Sequence, residues 1–458
     1  MLRLRCTAQT YDWGLDASSS EVAELASCQG QSVDSEMPYA ELWMGTHDSG
    51  PSSVVDNYDG IVEGDTFEVM LLKQWLSENR DALGTDPDGP VRRLISSPES
   101  NSENGSTRPD NINSVRNQID LPFLFKVLSV RKALSIQAHP DKQRAEQLNA
   151  ERPHVYKDPN HKPEMTVAIT TFEAMCGFVA ASELVENFNN VPELRQIVGN
   201  DIVEKYRDSV GTSLMKERLQ EAFSSLMLAE KDKVEAAVVS LVNRLDEKSS
   251  DERTKVEQMV LRLHEQYPFD VGIFCAFFLN IITLQPNQGV SLEANVPHAY
   301  LSGQCVEVMA TSDNVVRAGL TPKLRDTGVL CDMLTYDQGL PKILEGISID
   351  NNTSLFSPPF DEFELYKIKI DINQTYKQFV RNESPSILLC LQGENINVKC
   401  TDFACDVKHV LREIHCSRGT VLFVVAGALL EITTTSTDAL FYQASCNRRI
   451  FQKHNDDL

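Results

Sequence analysis

Gln137 and His139 are separated by one residue in the run SIQAHPDK (135–142). On a β-strand, residues i and i+2 point to one face. An amide oxygen and an imidazole nitrogen can then converge on one cation. Glu164 precedes another strand-like run, MTVAITTF, and can bring a carboxylate from a neighbouring strand. His298, in EANVPHAY, can add a second imidazole. Together the four offer O, N, O and N donors with one negative charge, a set that suits a divalent transition ion such as Zn²⁺ with positions left open for substrate or water. Each residue also has a plainer role when taken alone. A Q-x-H pair is common, His139 fits a turn before Pro140, Glu164 fits a solvated loop, and His298 fits a hydrogen-bonded histidine before a strand. Spacing alone leaves both readings open.

A second cluster lies at 304–326, QCVEVMATSDNVVRAGLTPKLRD, where Glu307, Asp313, Arg317 and Lys323 stand among small and apolar residues. One reading is a set of surface ion pairs. The other is a pocket for an anionic substrate, in which arginine offers a bidentate fork to phosphate and lysine a point charge.

The elements that must position these residues are legible in outline. Residues 1–85 carry short apolar runs and many turn residues, and Leu2–Cys6 alternates as a strand does. The run LPFLFKVLSV (121–130) is also strand-like. Residues 183–265 are poor in Gly and Pro. There Val234, Ala237, Val238, Leu241, Val242 and Leu245 recur at helix spacing, and Val256, Met259, Val260 and Leu263 repeat the pattern. The segment KSSDERTK (248–255) is the polar link between those two helices. Alternation returns at Ile368, Ile370 and Ile372, and Ser386–Leu391, Gly419–Val425 and Ala428–Thr433 are further strand candidates. Regular short strands of this kind predict a sandwich or barrel of the jelly-roll type. Residues 96–118 are dominated by Ser, Asn, Asp, Glu, Gly and Pro, which predicts a mobile loop inside a domain.

Composition excludes several classes. The 458 residues include 43 basic and 66 acidic ones, a formal charge of −23. With no long basic patch, that charge argues against a nucleic-acid partner. Hydrophobic residues at 41% and charged residues at 24% are ordinary for a folded protein and exclude global disorder. The 11 cysteines are odd in number, scattered and without a C-x-x-C, which predicts buried reduced thiols rather than a disulfide scaffold or a zinc ribbon. The N-terminal MLRLRCTAQTYDWG has no apolar core of the signal-peptide kind. The longest apolar stretch, Val271–Leu284, has 14 residues and includes Asn280. A membrane span needs about 20. The expectation is a soluble, cytoplasmic protein without nucleic-acid or membrane partners.

Several long motifs together resemble one family. SIQAHPDK (135–142), YKDPNHKPEM (156–165), PHAYLSG (297–303) and SDNVVRAGLTPK (312–323) are similar to type I mannose-6-phosphate isomerase, also called phosphomannose isomerase. YDWG (11–14) and YAELWMGTHDSGPS (39–52) match the same family. The likeness runs from residue 1 to about 330 and is much weaker after 340. It implies a mixed β and α fold: a cupin-type (jelly-roll) catalytic domain, a helical domain inserted in it and a C-terminal β domain. On this chain the expected bounds are 1–180 with 280–340, then 181–279, then 341–458.

The resemblance also implies an activity, the interconversion of mannose 6-phosphate and fructose 6-phosphate through a cis-enediol, feeding mannose and GDP-mannose metabolism; separately, a monomer is expected. It implies one zinc per chain, with ligands that carry over to Gln137, His139, Glu164 and His298. The family's active-site arginine matches Arg317. The proton-transfer base stays open among Lys162, Glu307 and Asp313, with His161 nearby; a lysine in that role needs a depressed pKa. Ser135, Lys126 and Lys323 are the phosphate candidates. Residues 96–118 stand as an insertion relative to the family pattern, and His409 and His415 have no comparable ligand set, so the C-terminal domain reads as structural. Two competing functions use the same residues: an Fe(II) cupin dioxygenase built on His139, Glu164 and His298, and a non-catalytic sugar-phosphate-binding protein.

Overall fold

The computed structural model describes residues 1–55, 70–95, 119–378, 383–402, 407 and 410–456. The expected loop at 96–118 and His409 lie outside them. The chain divides into two compact units.

The first unit comprises residues 1–129, 306–311 and 345–458. Its main sheet runs, in spatial order, Ile347–Ser348, Thr353–Phe356, Glu364–Ile370, Ala439–Ser445, Ser386–Gln392, Val421–Val424, Leu2–Arg5 and Ser53–Val55, every neighbouring pair antiparallel. Alternation explains the first strand: Leu2 and Leu4 are buried while Arg5 is exposed. A four-stranded sheet adds Thr375–Lys377, Leu429–Thr434, Ile396–Asp402 and Glu413–Cys416. Leu2–Arg5 pairs with Val421–Val424, from the opposite end of the chain. Composition along the chain carries no sign of so distant a pairing.

The second unit comprises residues 130–305 and 312–344. Its strands are β1 (Ile136–Ala138), β2 (Glu164–Ala168), β3 (Phe172–Phe178), β4 (Leu279–Leu284), β5 (Gly289–Leu292), β6 (His298–Ala310, the unit holding 298–305) and β7 (Val316–Gly319). β1 lies between β6 and β7. β3 lies between β4 and β6, and β2 pairs with β5. The run MTVAITTF is not one strand: β2 ends at Ala168, and the chain turns before β3 starts at Phe172.

The helices of this unit are α1 (Lys142–Glu151), α2 (Ala181–Asn190), α3 (Pro192–Val198), α4 (Asn200–Ser209), α5 (Met215–Met227), α6 (Lys231–Asp246), α7 (Lys255–Gln266), α8 (Gly272–Cys275) and α9 (Thr327–Met333). Those from α2 to α8 fill the region expected to be helical. On α6 the periodic Val234, Ala237, Val238, Leu241 and Leu245 are all buried; full burial of a leucine contributes about 1.5–3 kcal/mol. The link at 248–255 contains a short 3-10 turn, Ser250–Glu252, and Thr254 then caps α7 in a reciprocal pair with Glu257. The long apolar stretch becomes α8 followed by β4, packed in the core of this unit. Asn280 is tolerated there because its amide donates to the carbonyls of Cys176 and Gly339.

No helix among the described residues is long and apolar enough to cross a membrane. No disulfide joins the described cysteines, and all of them but Cys28 are buried.

Candidate active site

Three short strands set out the site. Gln137, at the centre of β1, stands opposite His298 of β6 on one side and Arg317 of β7 on the other. Directly opposed residues of an antiparallel pair share a face, so His298, Gln137 and Arg317 form a row. His139 follows β1 by one residue and keeps the i+2 relation to Gln137. Glu164 opens β2, opposite Leu292 of β5.

His139, Glu164 and His298 are buried, at 1%, 2% and 1% exposure. His139 Nε2 lies 3.3 Å from one Glu164 oxygen and His298 Nε2 lies 3.4 Å from the other. The two rings are 5.1 Å apart. Each ring's other nitrogen meets a main-chain carbonyl: His139 Nδ1 is 2.6 Å from Asn314 O, and His298 Nδ1 is 2.9 Å from Val296 O. A carbonyl only accepts, so each Nδ1 carries the hydrogen and donates. Each Nε2 is then left with its lone pair turned inward.

Those two Nε2 atoms and Glu164 Oε2 are buried without a hydrogen-bond partner. Buried polar atoms are normally satisfied. Three orphans whose ligand atoms lie within 4.8 Å of one another fit a cation better than a hydrogen-bond network. Gln137, on β1 opposite His298, has no side-chain hydrogen bond among the described residues.

The electrostatics agree. Burial pushes the His139 imidazole down to about 4, against the pull of Glu164, so it is neutral and ready to ligate at neutral pH. Burial works against the Glu164 carboxylate, yet the neighbouring Lys162 ammonium holds it well below the usual carboxylate range. Lys162 Nζ lies 2.9 Å from Glu164 Oε1. Arg317 is half-buried and has no ion-pair partner among the described residues; burial lowers its pKa from the ordinary arginine value.

The other expected residues are placed as follows. His161 adjoins Lys162 and is half-buried. Asp313 is exposed, and its main-chain nitrogen donates to Asp158 at 2.8 Å. Ser135 is half-buried, and Lys323 is exposed. Lys126 and Glu307 meet each other in the first unit. There Lys126 Nζ is 3.2 Å from Glu307 and 3.4 Å from Glu41, and lies over the Trp43 ring; the Trp43 indole donates to Glu41.

Several residues that hold the site in place were not singled out from the sequence. Asp158 accepts from the Ser312 hydroxyl and the Asp313 main chain, each at 2.8 Å. The Asn314 amide donates to the main-chain oxygens of Asp158 and Asn160. Asn314 in turn presents the carbonyl that receives His139. On the other side of His139, Asn295 N donates to His139 O, and its amide donates to Asp141, which caps α1. Asp158 and Asn314 lie inside the quoted motifs 156–165 and 312–323, and Glu41 inside 39–52; that placement was the available signal.

Comparison with known proteins gives a consistent result. Residues 1–181 match the catalytic domain of phosphomannose isomerase type I, and residues 195–279 match its helical insertion domain. The chain is 40% identical to mannose-6-phosphate isomerase 2 of Arabidopsis thaliana, covering 98% of this chain and 94% of that one. It is 37% identical to mannose-6-phosphate isomerase of Homo sapiens, covering 97% and 98%. Among solved structures it resembles the Salmonella typhimurium mannose 6-phosphate isomerase bound to substrate and zinc. That similarity has a TM-score of 0.72 at 26% identity, over 98% of this chain and 99% of that one. With matching domain models, near full-length relatives and a buried His–Glu–His cluster, this chain belongs to the type I phosphomannose isomerase family.

Proposed function

We propose that this protein is a zinc-dependent aldose–ketose isomerase that interconverts mannose 6-phosphate and fructose 6-phosphate, with one zinc per chain. The observation that carries the reading is the convergence of three buried, unpartnered ligand atoms from His139, Glu164 and His298. Gln137 completes the donor set. When bound there, a divalent zinc supplies a Lewis acid that polarises the sugar carbonyl and a template for its hydroxyls.

The chain's own residues supply the rest. Isomerisation needs an open sugar chain and a proton moved from C2 to C1 on one face through a cis-enediol. Lys162, buried beside Glu164, is the residue we assign to that transfer, with Asp313 or His161 assisting ring opening. Arg317, a guanidinium with no carboxylate to neutralise it among the described residues, stabilises the developing enediolate. Lys323 is exposed and without an ion-pair partner among the described residues, which suits it to phosphate. Ser135 is the second phosphate contact. Lys126, set between Glu41 and Glu307, is already charge-compensated and is the weaker phosphate candidate of the three. We place the protein, as a monomer, in the cytoplasm, on the supply of mannose for nucleotide-linked sugar synthesis.

The test is conversion of mannose 6-phosphate to fructose 6-phosphate before chelation, after it, and with zinc restored. Loss and recovery of activity are the expected result. A zinc-loaded protein that binds the sugar phosphate without turnover is a binding protein. Activity restored by Fe(II) with consumption of oxygen marks a dioxygenase.

A further inference from the structure

No ion pair aims the Arg317 guanidinium among the described residues, so its direction rests on the backbone of β7. That strand is irregular where it matters. Val316 and Arg317 stand opposite Ala138 and Gln137, and the register then shifts before Gly319 meets Ile136. The next residue, Leu320, takes a left-handed φ of 53°, a conformation that is unfavourable for any residue with a β-carbon.

The partner that holds this bend comes from the helical insertion. Asp270 lies between α7 and α8, and its Oδ1 accepts from Leu320 N at 2.8 Å and from Gly272 N at 2.7 Å. Its Oδ2 accepts from Thr321 N at 3.3 Å. Gly272 and Gly319 meet back to back at the same point. A β-carbon on Gly319 would lie 2.7 Å from Gly272 Cα and 2.9 Å from Asp270 Oδ1. One on Gly272 would lie 2.7 Å from Leu320 N. The Leu320 side chain is 1% exposed and belongs to the core that the insertion's helices form. The downstream end of β7 is therefore fastened by main-chain hydrogen bonds, by a contact only glycines permit, and by a buried leucine.

We propose that Asp270, together with Gly272 and Gly319, is a positioning residue for the isomerisation: it fixes the bulged end of β7 so that Arg317 stays in the row with Gln137 and His298. The inference rests on the role given to Arg317 above. It assigns the helical insertion a part in the chemistry, although none of the candidate ligands or bases lies on it. The clamp also starts the turn that leads to Lys323, whose main-chain nitrogen donates to Thr321 Oγ1.

The experiment compares Asp270→Ala, Asp270→Asn, Arg317→Ala and the Asp270→Ala/Arg317→Ala double variant. For each, kcat and KM are measured per bound zinc, along with zinc affinity and thermal midpoint. Counting turnover per bound zinc removes losses caused only by unfolding. Misplacement of a reacting group by about 1 Å can cost on the order of 100-fold, so Asp270→Ala should lower kcat by about 10- to 100-fold. Zinc affinity should stay within about twofold, because the ligands do not depend on the clamp. Asparagine keeps one acceptor oxygen, and Asp270→Asn should recover part of the loss. The double variant should be no slower than Arg317→Ala, because a residue that acts through another adds nothing once that other is gone.

An Asp270→Ala enzyme at wild-type kcat per zinc, or a double variant in which the two losses multiply, overturns the proposal. Arg317→Ala at wild-type turnover sinks the arginine assignment itself and the clamp's purpose with it. Should Asp270→Ala fail to fold, Asp270→Asn and Gly319→Ala decide. Gly319→Ala wedges the same contact while leaving the carboxylate intact, and wild-type kcat in both would refute the clamp.

Discussion

The His139 ring is oriented through a main-chain carbonyl, and that carbonyl is held by a carboxylate on another loop. The chain of contacts runs from Asp158 to Ser312, Asp313 and Asn314, and from Asn314 O to His139 Nδ1. Removing such outer partners of a ligating histidine typically weakens metal binding about 10- to 100-fold. Asp158→Ala should therefore lose zinc about 10- to 100-fold more readily in a chelator competition, while turnover at saturating zinc stays close to wild type. An unchanged zinc affinity would show that the Asn314 carbonyl is fixed without Asp158. This contrasts with the effect expected of Asp270, which should move turnover and leave zinc alone. At this scale His139, Glu164 and His298, which the structure brings together, were legible as candidates from side-chain type, although spacing left a plainer role open for each and the family motifs favoured the metal site. Asp158, Asn314 and Asp270 were not, because they act on main-chain atoms, which every residue possesses and no spacing reveals.

Elements of the helical insertion were legible for a related reason. A helix buries one face, so its apolar residues recur at a period visible in the sequence, as on α6 and α7. What periodicity did not give is how the helices are joined. Glu193 on α3 receives Arg244 of α6 in a two-pronged pair at 2.9 and 2.8 Å. Burial works against the Glu193 carboxylate, but its hydrogen bonds from Arg244 and Ser240 leave its pKa below the ordinary value of 4.5. A depressed carboxylate stabilises the folded state above its unfolded pKa and loses that contribution as pH falls through the folded value. The insertion should therefore weaken below about pH 4.5 in acid titration followed by circular dichroism. Glu193→Gln should cost about 1–3 kcal/mol at neutral pH in chemical denaturation and flatten that acid limb. An acid limb identical in the variant would assign it to other carboxylates. Strands were harder to read. β1 has only three residues, too few for alternation to announce itself, and its motif rather than its pattern marked it.

Over the whole molecule, the pairing of Leu2–Arg5 with Val421–Val424 on one side and Ser53–Val55 on the other makes the first strand an interior member of its sheet. Strand partners so far apart in sequence leave no local trace. Leu4, 2% exposed, should cost about 2–5 kcal/mol when truncated to alanine, measured by denaturation of the full chain. A loss below about 0.5 kcal/mol, as expected of an exposed site, would mean that this strand is not held as described.

The net charge of −23 bears on catalysis at the same scale. A sugar phosphate approaching this protein meets repulsion from the whole surface and attraction only from nearby cations such as Arg317 and Lys323. The two differ in range. At about 0.01 M salt the screening length is about 30 Å and the distant acidic groups are felt. At about 0.15 M it is about 8 Å, so repulsion fades while short-range contacts persist. Near 1 M it is about 3 Å, and the local attraction is weakened too. kcat/KM for mannose 6-phosphate should therefore rise from low to physiological salt and fall again at high salt. If Lys323 holds the phosphate as proposed, Lys323→Ala should lose much of the falling limb and keep the rising one, because the rise comes from the acidic surface. A kcat/KM that falls steadily from the lowest salt would mean that the nearby cations dominate the field at every distance, and that the acidic surface plays no part in how substrate arrives.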